Sequence, residues 1–196
     1  TIYITTWDHS TGATGVLVPL IGGVDVSVIS IFGLDTTPDG QLLAFAEVEV
    51  LEGEFPVDYE WVVEIDPVTG VITELVDITG ATEYLDGIAT DPTTGITYAF
   101  VDLDDGTPQY LVLDLIAGTY TGPIDLDEVE TALGAGFIYG ADFDTSGKLW
   151  FWYSTAQDVL AYTTGPFSET VSAAVAGNGS DDTNGINLAY DPYVKP

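Results

Sequence analysis

The 196-residue sequence contains no cysteine and no methionine, and it has only one histidine and two basic residues. The absence of cysteine excludes disulfides and thiol chemistry. With His9 as its single imidazole, the chain also lacks the usual ligand set of a zinc site. The two cations, Lys148 and Lys195, stand against 32 acidic residues, so the formal net charge is −30. Such a charge repels nucleic acid, so we expect no nucleic-acid partner, and it favours cationic partners and saline or acidic surroundings.

Long hydrophobic runs are missing as well, and no segment approaches the length needed to span a membrane. Hydrophobic residues nevertheless make up 46% of the chain and aromatic residues 12%, and the mean hydropathy is +0.27. These values indicate a folded core rather than a disordered acidic chain. The length predicts a single domain that covers residues 1–196.

A strand-turn-strand unit recurs along the chain. In its clearest copy a short strand begins at Gly87, the segment 91–95 supplies a turn with proline and glycine, and a second strand runs over 96–100. Related units begin with the glycines at positions 33, 140 and 185, so successive copies are 54, 53 and 45 residues apart. This period matches one four-stranded blade of a β-propeller.

A second hairpin completes each unit, as in the strands 59–65 and 71–75 around the turn 66–70. The returning strands 42–46, 96–100 and 149–152 carry apolar residues on both faces, which is typical of sheets stacked between neighbours. A β-sandwich, the alternative all-β architecture, would instead show polar residues on its outer faces.

One helix is predicted, over Asp127–Leu133, with Asp127 as its N-cap and Gly134 as its stop.

The two ends of the chain resemble parts of one further blade. Residues 1–7 and 15–20 read as a hairpin, and 186–190 read as the first strand of a unit. Strand pairing between the termini would complete a fourth blade and close the ring. We therefore predict an all-β, four-bladed propeller whose terminal strands form the closure or an assembly contact. The residues predicted for that role are Ile2, Tyr3, Ile4, Trp7, Ile186, Leu188 and Tyr190.

The recurring pattern G-[IL]-x-x-[DS]-P-x-[TD]-G-x-[IL]-Y, followed by Y-x-[VL]-D-x-x-T-G, resembles secreted β-propeller repeats of the YVTN, NHL and quinoprotein-like type. The resemblance extends from Gly33 to Tyr190 and implies an architecture rather than an activity. Quinone-binding members of this class use basic or metal-coordinating residues that this chain lacks, so no quinone cofactor is expected.

No cofactor is expected, although two acidic segments are candidate calcium sites. Asp142, Asp144 and Ser146 present oxygen ligands at alternate positions before a glycine, and Asp102 and Asp104 form a similar segment. Tyr153 stands where a bidentate acid would complete the first loop. The competing and favoured interpretation is an ordinary β-turn in which the acid serves the backbone.

No catalytic set is predicted. His9 and Ser10 are adjacent in a turn, and adjacency does not supply the geometry of a nucleophile and its base. Among 32 acids, some carboxylate pairs lie close by chance, so glycoside chemistry has no specific signal. The four tryptophans could stack on sugars, but core positions between blades are the favoured interpretation for Trp7, Trp61, Trp150 and Trp152.

The sequence favours a non-enzymatic, extracellular structural subunit, such as part of a filament or surface layer, that forms homo-oligomers or polymers by strand pairing. The alternative is a monomeric secreted propeller that binds a ligand or glycan, with calcium as a potential aid. The extracellular prediction rests on a chain that begins at Thr1, as after signal-peptide removal, and on a glycosylation motif at Asn178.

Overall fold

The computed structural model describes residues 1–5, 7–8, 10–11, 13–81, 84–102, 107–154, 158–163 and 171–176. For Trp7, Asp8, Tyr84, Asp158 and residues 171–176 it describes the backbone alone. Strands account for nearly all of the regular structure in these ranges, as the sequence predicts.

The chain begins with a hairpin of short strands. They are β1 (Tyr3–Ile4), β2 (Trp7–Asp8), β3 (Ala13–Thr14) and β4 (Val18–Pro19). β1 pairs with β4 and β2 with β3, all antiparallel. In place of the single strand predicted over residues 1–7, the structure has the two short strands β1 and β2, each two residues long.

Three four-stranded antiparallel sheets follow, each with its strands in sequence order. The first, blade A, contains β5 (Val26–Thr36), β6 (Leu42–Glu52), β7 (Phe55–Ile65) and β8 (Ile72–Asp77). Blade B contains β9 (Tyr84–Thr90), β10 (Thr97–Asp102), β11 (Pro108–Asp114) and β12 (Thr119–Asp125). Blade C contains β13 (Phe137–Phe143), β14 (Leu149–Ser154), β15 (Asp158–Thr163) and β16 (Val171–Ala176). These sheets confirm the strand-turn-strand units that the repeat predicts.

Several turns of the blades are stabilised by the same local hydrogen bond. An aspartate carboxylate accepts the backbone N–H two residues further on, and a glycine with positive φ ends the turn. In blade A the donor is Val68, 2.8 Å from the Asp66 carboxylate, and Gly70 has φ 75°. In blade B the donor is Thr93, 2.8 Å from the Asp91 carboxylate.

The sheets pack face to face in series. One apolar cluster lies between the N-terminal hairpin and blade A, a second between blades A and B, and a third between blades B and C. Two layers would have one such interface, so the β-sandwich alternative is wrong. A series of four-stranded meanders stacked through equivalent faces is the architecture of a β-propeller.

The leading glycines Gly33, Gly87 and Gly140 lie where the first strands of adjacent blades meet. A Cβ atom added to Gly33 would stand 3.2 Å from the backbone nitrogen of Ile88, and one added to Gly87 would stand 3.0 Å from that of Ala141. A side chain at either position would separate the strands, which explains the glycine at both.

The helix α1 (Asp127–Leu133) has the bounds that the sequence predicts. The N-cap prediction is wrong, because Leu126 occupies the cap position and no side chain caps the helix. Asp127 is instead the first helical residue, where its negative charge interacts favourably with the positive end of the helix dipole. Gly134 ends the helix with φ 86°, as predicted.

The C-terminal half of the predicted closing blade, with Ile186, Leu188 and Tyr190, lies outside the described residues. The same holds for His9, Asp104 and Asn178.

Candidate functional site

A cleft of about 850 Å³ lies between blades A and B, at the end of the blades that carries the β5–β6, β9–β10 and β11–β12 turns. Its volume is in the range of roughly 300–1,000 Å³ that small-ligand sites occupy. Hydroxyl groups are frequent in its lining, which includes Thr37, Thr90, Thr97, Thr119, Tyr120 and Thr121. The acids of the lining are Asp39 and Asp114, and the lining contains no basic residue.

Two buried hydroxyls of this lining, on Thr97 and Thr90, are connected by hydrogen bonds to the carboxyl group of Asp35. The Oγ1 atoms of Thr90 and Thr97 are 3.0 Å apart. The side chain of Thr90 is also hydrogen-bonded to Asp35, on the first strand of blade A. A chain of hydroxyls therefore connects the cleft with the Asp35 carboxyl across the seam between the blades.

Asp35 is only partly satisfied by the protein. Burial raises its pKa, and the hydrogen bonds from Thr90 and from the backbone of Thr36 only partly offset that effect. Its buried Oδ2 has no hydrogen-bond partner among the described residues. This environment favours neutral hydrogen-bond donors and opposes anions.

A second buried carboxyl, Asp102, forms a pair with Asp86 where blade B meets blade C. Asp102 is 0% exposed, its Oδ2 accepts a 2.9 Å hydrogen bond from the backbone N–H of Ile138, and its carboxyl is hydrogen-bonded to that of Asp86. Asp86 lies at a register shift between β9 and β10, and such bulges re-aim side chains. Sequence reasoning missed Asp86, because no residue pattern marked the bulge that turns it towards Asp102.

Burial and the closeness of the two carboxyls both oppose ionisation, so the pair retains a proton more readily than exposed acids do. Burial raises the pKa of Asp86 to about 6. Burial, together with the hydrogen bond and the charge of Asp86, raises the pKa of Asp102 to about 10. Hydrogen-bonded carboxyls are closer than the roughly 5–9.5 Å that separates the two acids of glycosidases. The pair therefore does not supply the two-carboxylate arrangement of glycoside hydrolysis.

The first calcium segment serves a turn. The Oδ1 atom of Asp144 accepts hydrogen bonds from the backbone N–H groups of Ser146 (2.9 Å) and Lys148 (3.1 Å), and Oδ2 accepts one from Nε1 of Trp150 (3.1 Å). Burial would raise the pKa of Asp144, but the hydrogen bonds from Ser146 and Trp150 outweigh it and lower the pKa. Asp142 lies on β13 opposite Trp150.

In the second segment Asp102 belongs to the carboxyl pair, and Asp104 is not described. Over the described ranges, no group of three or more His, Cys, Asp or Glu side chains is placed to hold a metal ion. Calcium binding stays a prediction.

The described tryptophans lie mainly in packed positions. Trp61 packs against the cluster between the N-terminal hairpin and blade A. The ring of Trp150 is 4.8 Å from that of Tyr162, and Nζ of Lys148 lies 5.3 Å and 4.5 Å from these two ring centroids. One of the two basic residues of the chain is thus engaged by aromatic rings.

Blade A has an extension that the other blades lack. Its first three strands are eleven residues long, against six or seven in blades B and C, and a Gly53–Glu54 turn joins β6 to β7 at the far end. We call this extension, residues 25–29 and 47–60, the arm. The tip is open to solvent and exposes two apolar side chains, Phe55 (73% exposed) and Leu51 (47% exposed), beside the acids Glu52 and Glu54.

The two faces of the arm differ in chemistry. On one face the cross-strand partners Val26, Val50 and Val57 form an apolar row. On the other face Glu47 lies opposite Glu60 and Glu49 opposite Asp58, so like charges meet directly. The outer edge of β7 carries Pro56, which has no N–H to offer another strand.

The N-terminal assembly residues have partners within the chain. β1 pairs with β4, and Ile2 and Ile4 pack against the core of blade A. Tyr3 is 55% exposed. Over the described residues, no helix is long and apolar enough to cross a membrane.

The blades and their seams define the class of this protein as an acidic β-propeller. No protein-family model and no curated protein matches the sequence. Among solved structures, the chain is similar to one described as the Dos1 propeller, with a TM-score of 0.43 and 13% identity over 81% of this chain and 39% of that one. It is also similar to the α-L-arabinofuranosidase PaAbf62A from Podospora anserina in complex with cellotriose, with a TM-score of 0.44 and 15% identity over 83% of this chain and 57% of that one. The chain therefore spans less than two thirds of either protein, and similarity at this level assigns no activity to it.

Proposed function

We propose that this protein is a non-enzymatic binding module that takes a neutral, hydroxyl-rich ligand such as an oligosaccharide in the cleft between blades A and B. The observation that carries the proposal is the hydroxyl-lined cleft of about 850 Å³, connected through Thr97 and Thr90 to the partly satisfied Asp35. Sugars present many hydroxyl donors, and a cleft of this kind offers acceptors that match them.

Charge selects against the other common ligand classes. The chain carries a net charge of −30, and Asp39 and Asp114 lie at the cleft without a basic neighbour in its lining. Phosphate and carboxylate ligands would be repelled there. The apolar part of the lining, which includes Val112 and Leu113, suits the carbon-bound hydrogens of a sugar ring.

Isothermal titration of the chain with maltotriose, mannotriose and chitotriose, each with and without calcium, tests this function. We expect saturable binding of at least one trisaccharide. Thr90→Val, which removes the hydroxyl at nearly constant volume, should weaken that binding about tenfold, since a lost hydrogen bond to a charged group corresponds to roughly 1.5 kcal/mol. Thr73→Val, on the exposed side of β8, is the matched control and should bind as the parent does. Absence of saturable binding to all three sugars would contradict the proposal.

A second candidate function is self-assembly as an extracellular structural subunit, and the arm favours it. Copies that meet through Phe55 and Val57, the exposed end of the apolar face, keep the acidic faces of their arms apart, and salt would screen the repulsion that remains. This contact differs from the terminal strand pairing that the sequence favours, because β1 is already paired with β4.

Light scattering and negative-stain imaging at low and high salt test self-assembly. We expect oligomers of the intact chain that grow with salt and disappear in the double variant Phe55→Ser, Val57→Ser, because both side chains are exposed on the apolar face of the arm. A double variant with Val68→Ser and Ile116→Ser is the control, because both residues are exposed and lie outside the arm. Monomers of the intact chain at every salt concentration would rule out this function.

A further inference from the structure

A second cavity, of about 520 Å³, lies on blade A beside the cleft. It is bounded by the β5–β6 turn and the β7–β8 turn, which are at the same end of the blade. We propose that this cavity is a second subsite, which takes the continuation of a linear oligosaccharide whose first units occupy the cleft between blades A and B. This subsite rests on the proposed function and deepens it, because it requires a ligand longer than a trisaccharide.

The two cavities share the β5–β6 turn as a wall. Residues 37–39 line the cleft, Gly40 and Leu42 line the second cavity, and Gln41 lines both. The backbone of Gln41 is fixed, because its N–H donates to Oγ1 of Thr37 at 3.0 Å and its carbonyl accepts from the N–H of Thr37 at 2.9 Å. Its side-chain amide can offer a donor and an acceptor to a ligand that passes from one cavity to the other.

The second cavity has the same chemistry as the cleft. Its acids are Glu64 and Asp66, its hydroxyl groups are those of Thr69 and Thr73, and its lining contains no basic residue. Val71, which is 41% exposed, adds an apolar surface. Acceptors beside an apolar surface match the hydroxyl groups and the carbon-bound hydrogens of a sugar. One oligosaccharide of uniform composition therefore suits both cavities, whereas an anion is repelled by both.

The β7–β8 turn that bounds the second cavity is held from two sides. Within the turn, the Asp66 carboxylate accepts hydrogen bonds from the N–H of Val68 at 2.8 Å and from Oγ1 of Thr69 at 2.6 Å. From the N-terminal hairpin, the N–H of Ile21 donates to the carbonyl of Gly70 at 2.8 Å. A wall that is fixed before binding loses little conformational entropy when a ligand enters.

Isothermal titration of the full chain with sugars of two lengths tests the second subsite. The pairs are maltotriose with maltohexaose, mannotriose with mannohexaose, and chitotriose with chitohexaose. In the series that binds, we expect the hexasaccharide to bind at least about tenfold more tightly than the trisaccharide. Six units can lie in a three-unit site in several positions, which by itself gives a gain of only about fourfold.

Glu64→Leu shows where the additional units bind. It removes two acceptors from the second cavity and leaves the lining of the cleft unchanged. We expect the hexasaccharide to lose about fivefold or more in affinity, while the trisaccharide binds within about twofold of its affinity for the parent. Thr73→Val should act in the same direction to a smaller extent. Glu74→Leu, at an exposed position of β8 outside both linings, is the matched control and should leave both affinities unchanged.

The outcomes separate the second subsite from the cleft. A hexasaccharide gain below about tenfold would overturn the subsite and leave the cleft as a trisaccharide site. A full gain that survives both Glu64→Leu and Thr73→Val would also overturn it, because the additional units would then contact another part of the chain. Absence of binding by all six sugars would overturn the proposed function itself, and the second subsite with it.

Discussion

The seam between blades A and B and the seam between blades B and C use the same backbone arrangement but different chemistry. The first has a mainly aliphatic core, with Leu43, Val62 and Leu113, and opens at one end into the hydroxyl-lined cleft. The second is filled by aromatic rings, among them Tyr98 and Phe143, whose centroids are 5.7 Å apart. Each seam also holds buried carboxyl groups.

This difference teaches that equivalent seams of a repeated scaffold can place their carboxyl groups in different surroundings. In the first seam Asp35 is linked through Thr90 to a solvent-accessible cleft. In the second seam Asp102 is fully enclosed and accepts a hydrogen bond from the N–H of Ile138 on the next blade.

Truncation of a core ring should have the largest effect on either seam. Phe151→Ala in the second seam and Phe45→Ala in the first each remove a ring that is 0% exposed. We expect each to lower the free energy of unfolding by about 3–5 kcal/mol, since the cavity cannot collapse fully. Urea unfolding measures the change, with Val68→Ala, 81% exposed, as the control. A loss below about 1 kcal/mol in one seam alone would show that this seam contributes little to the fold.

Widening a seam by one methyl group should have the next largest effect. Gly87→Ala places a Cβ 3.0 Å from the backbone nitrogen of Ala141, and backbone cannot turn aside as a side chain can. We expect a destabilisation of about 1–3 kcal/mol, measured by urea unfolding. Gly40→Ala is the comparison variant. Its added Cβ would contact no atom within 4 Å, so its only cost is the backbone strain of an alanine at φ 92°. A loss below about 0.5 kcal/mol in Gly87→Ala would contradict the steric account of the stacked glycines.

Loss of a turn carboxylate should have a smaller effect that depends on pH. Asp144→Ala removes the acceptor for Ser146, Lys148 and Trp150, and we expect a cost of about 1–2 kcal/mol near neutral pH. Because the pKa of Asp144 is lowered, its contribution is present above the ordinary value of 3.8 and is lost as the pH falls through the folded pKa. Thermal unfolding of parent and variant should therefore converge in strong acid. A constant difference across the acid range would be inconsistent with a role for the ionised carboxylate.

The smallest effect is expected for Asp35→Asn, and it has the opposite sign with pH. Burial raises the pKa of Asp35, so its contribution is complete below 3.8 and declines as the pH rises through the folded pKa. The variant should therefore gain stability relative to the parent on going from acid to neutral pH, by less than about 1 kcal/mol. Thermal unfolding at both pH values measures it. A relative loss on the same pH change would show that the Thr90 hydrogen bond, rather than burial, controls this carboxyl.

Much of the fold could be predicted, because its signals are local. The turn at 91–95 needs proline and glycine at set positions, and the glycine spacing repeats with the blade. The helix over Asp127–Leu133 was predicted to the residue. The arm was not predicted, because strand length past the core depends on how far β6 and β7 stay paired, and alternating residues alone do not limit that pairing.

The candidate sites were predictable only in part. Asp102 was named from its sequence context, but as a calcium ligand rather than as half of a carboxyl pair. Asp35 and Asp86 were not named at all, since one of 32 acids looks like another until its burial and partners are known.

The sequence by itself determined the all-β class, the period of the blades and the chemistry of their turns, because each depends on residues a few positions apart. Only the tertiary structure decided which side chains meet across a seam. Thr90 with Asp35, and Asp102 with Ile138, come together through the stacking of separate sheets. That stacking determines which carboxyl groups are buried and which hydrogen bonds they make, and burial is the main cause that raises the pKa of Asp35 and of Asp102.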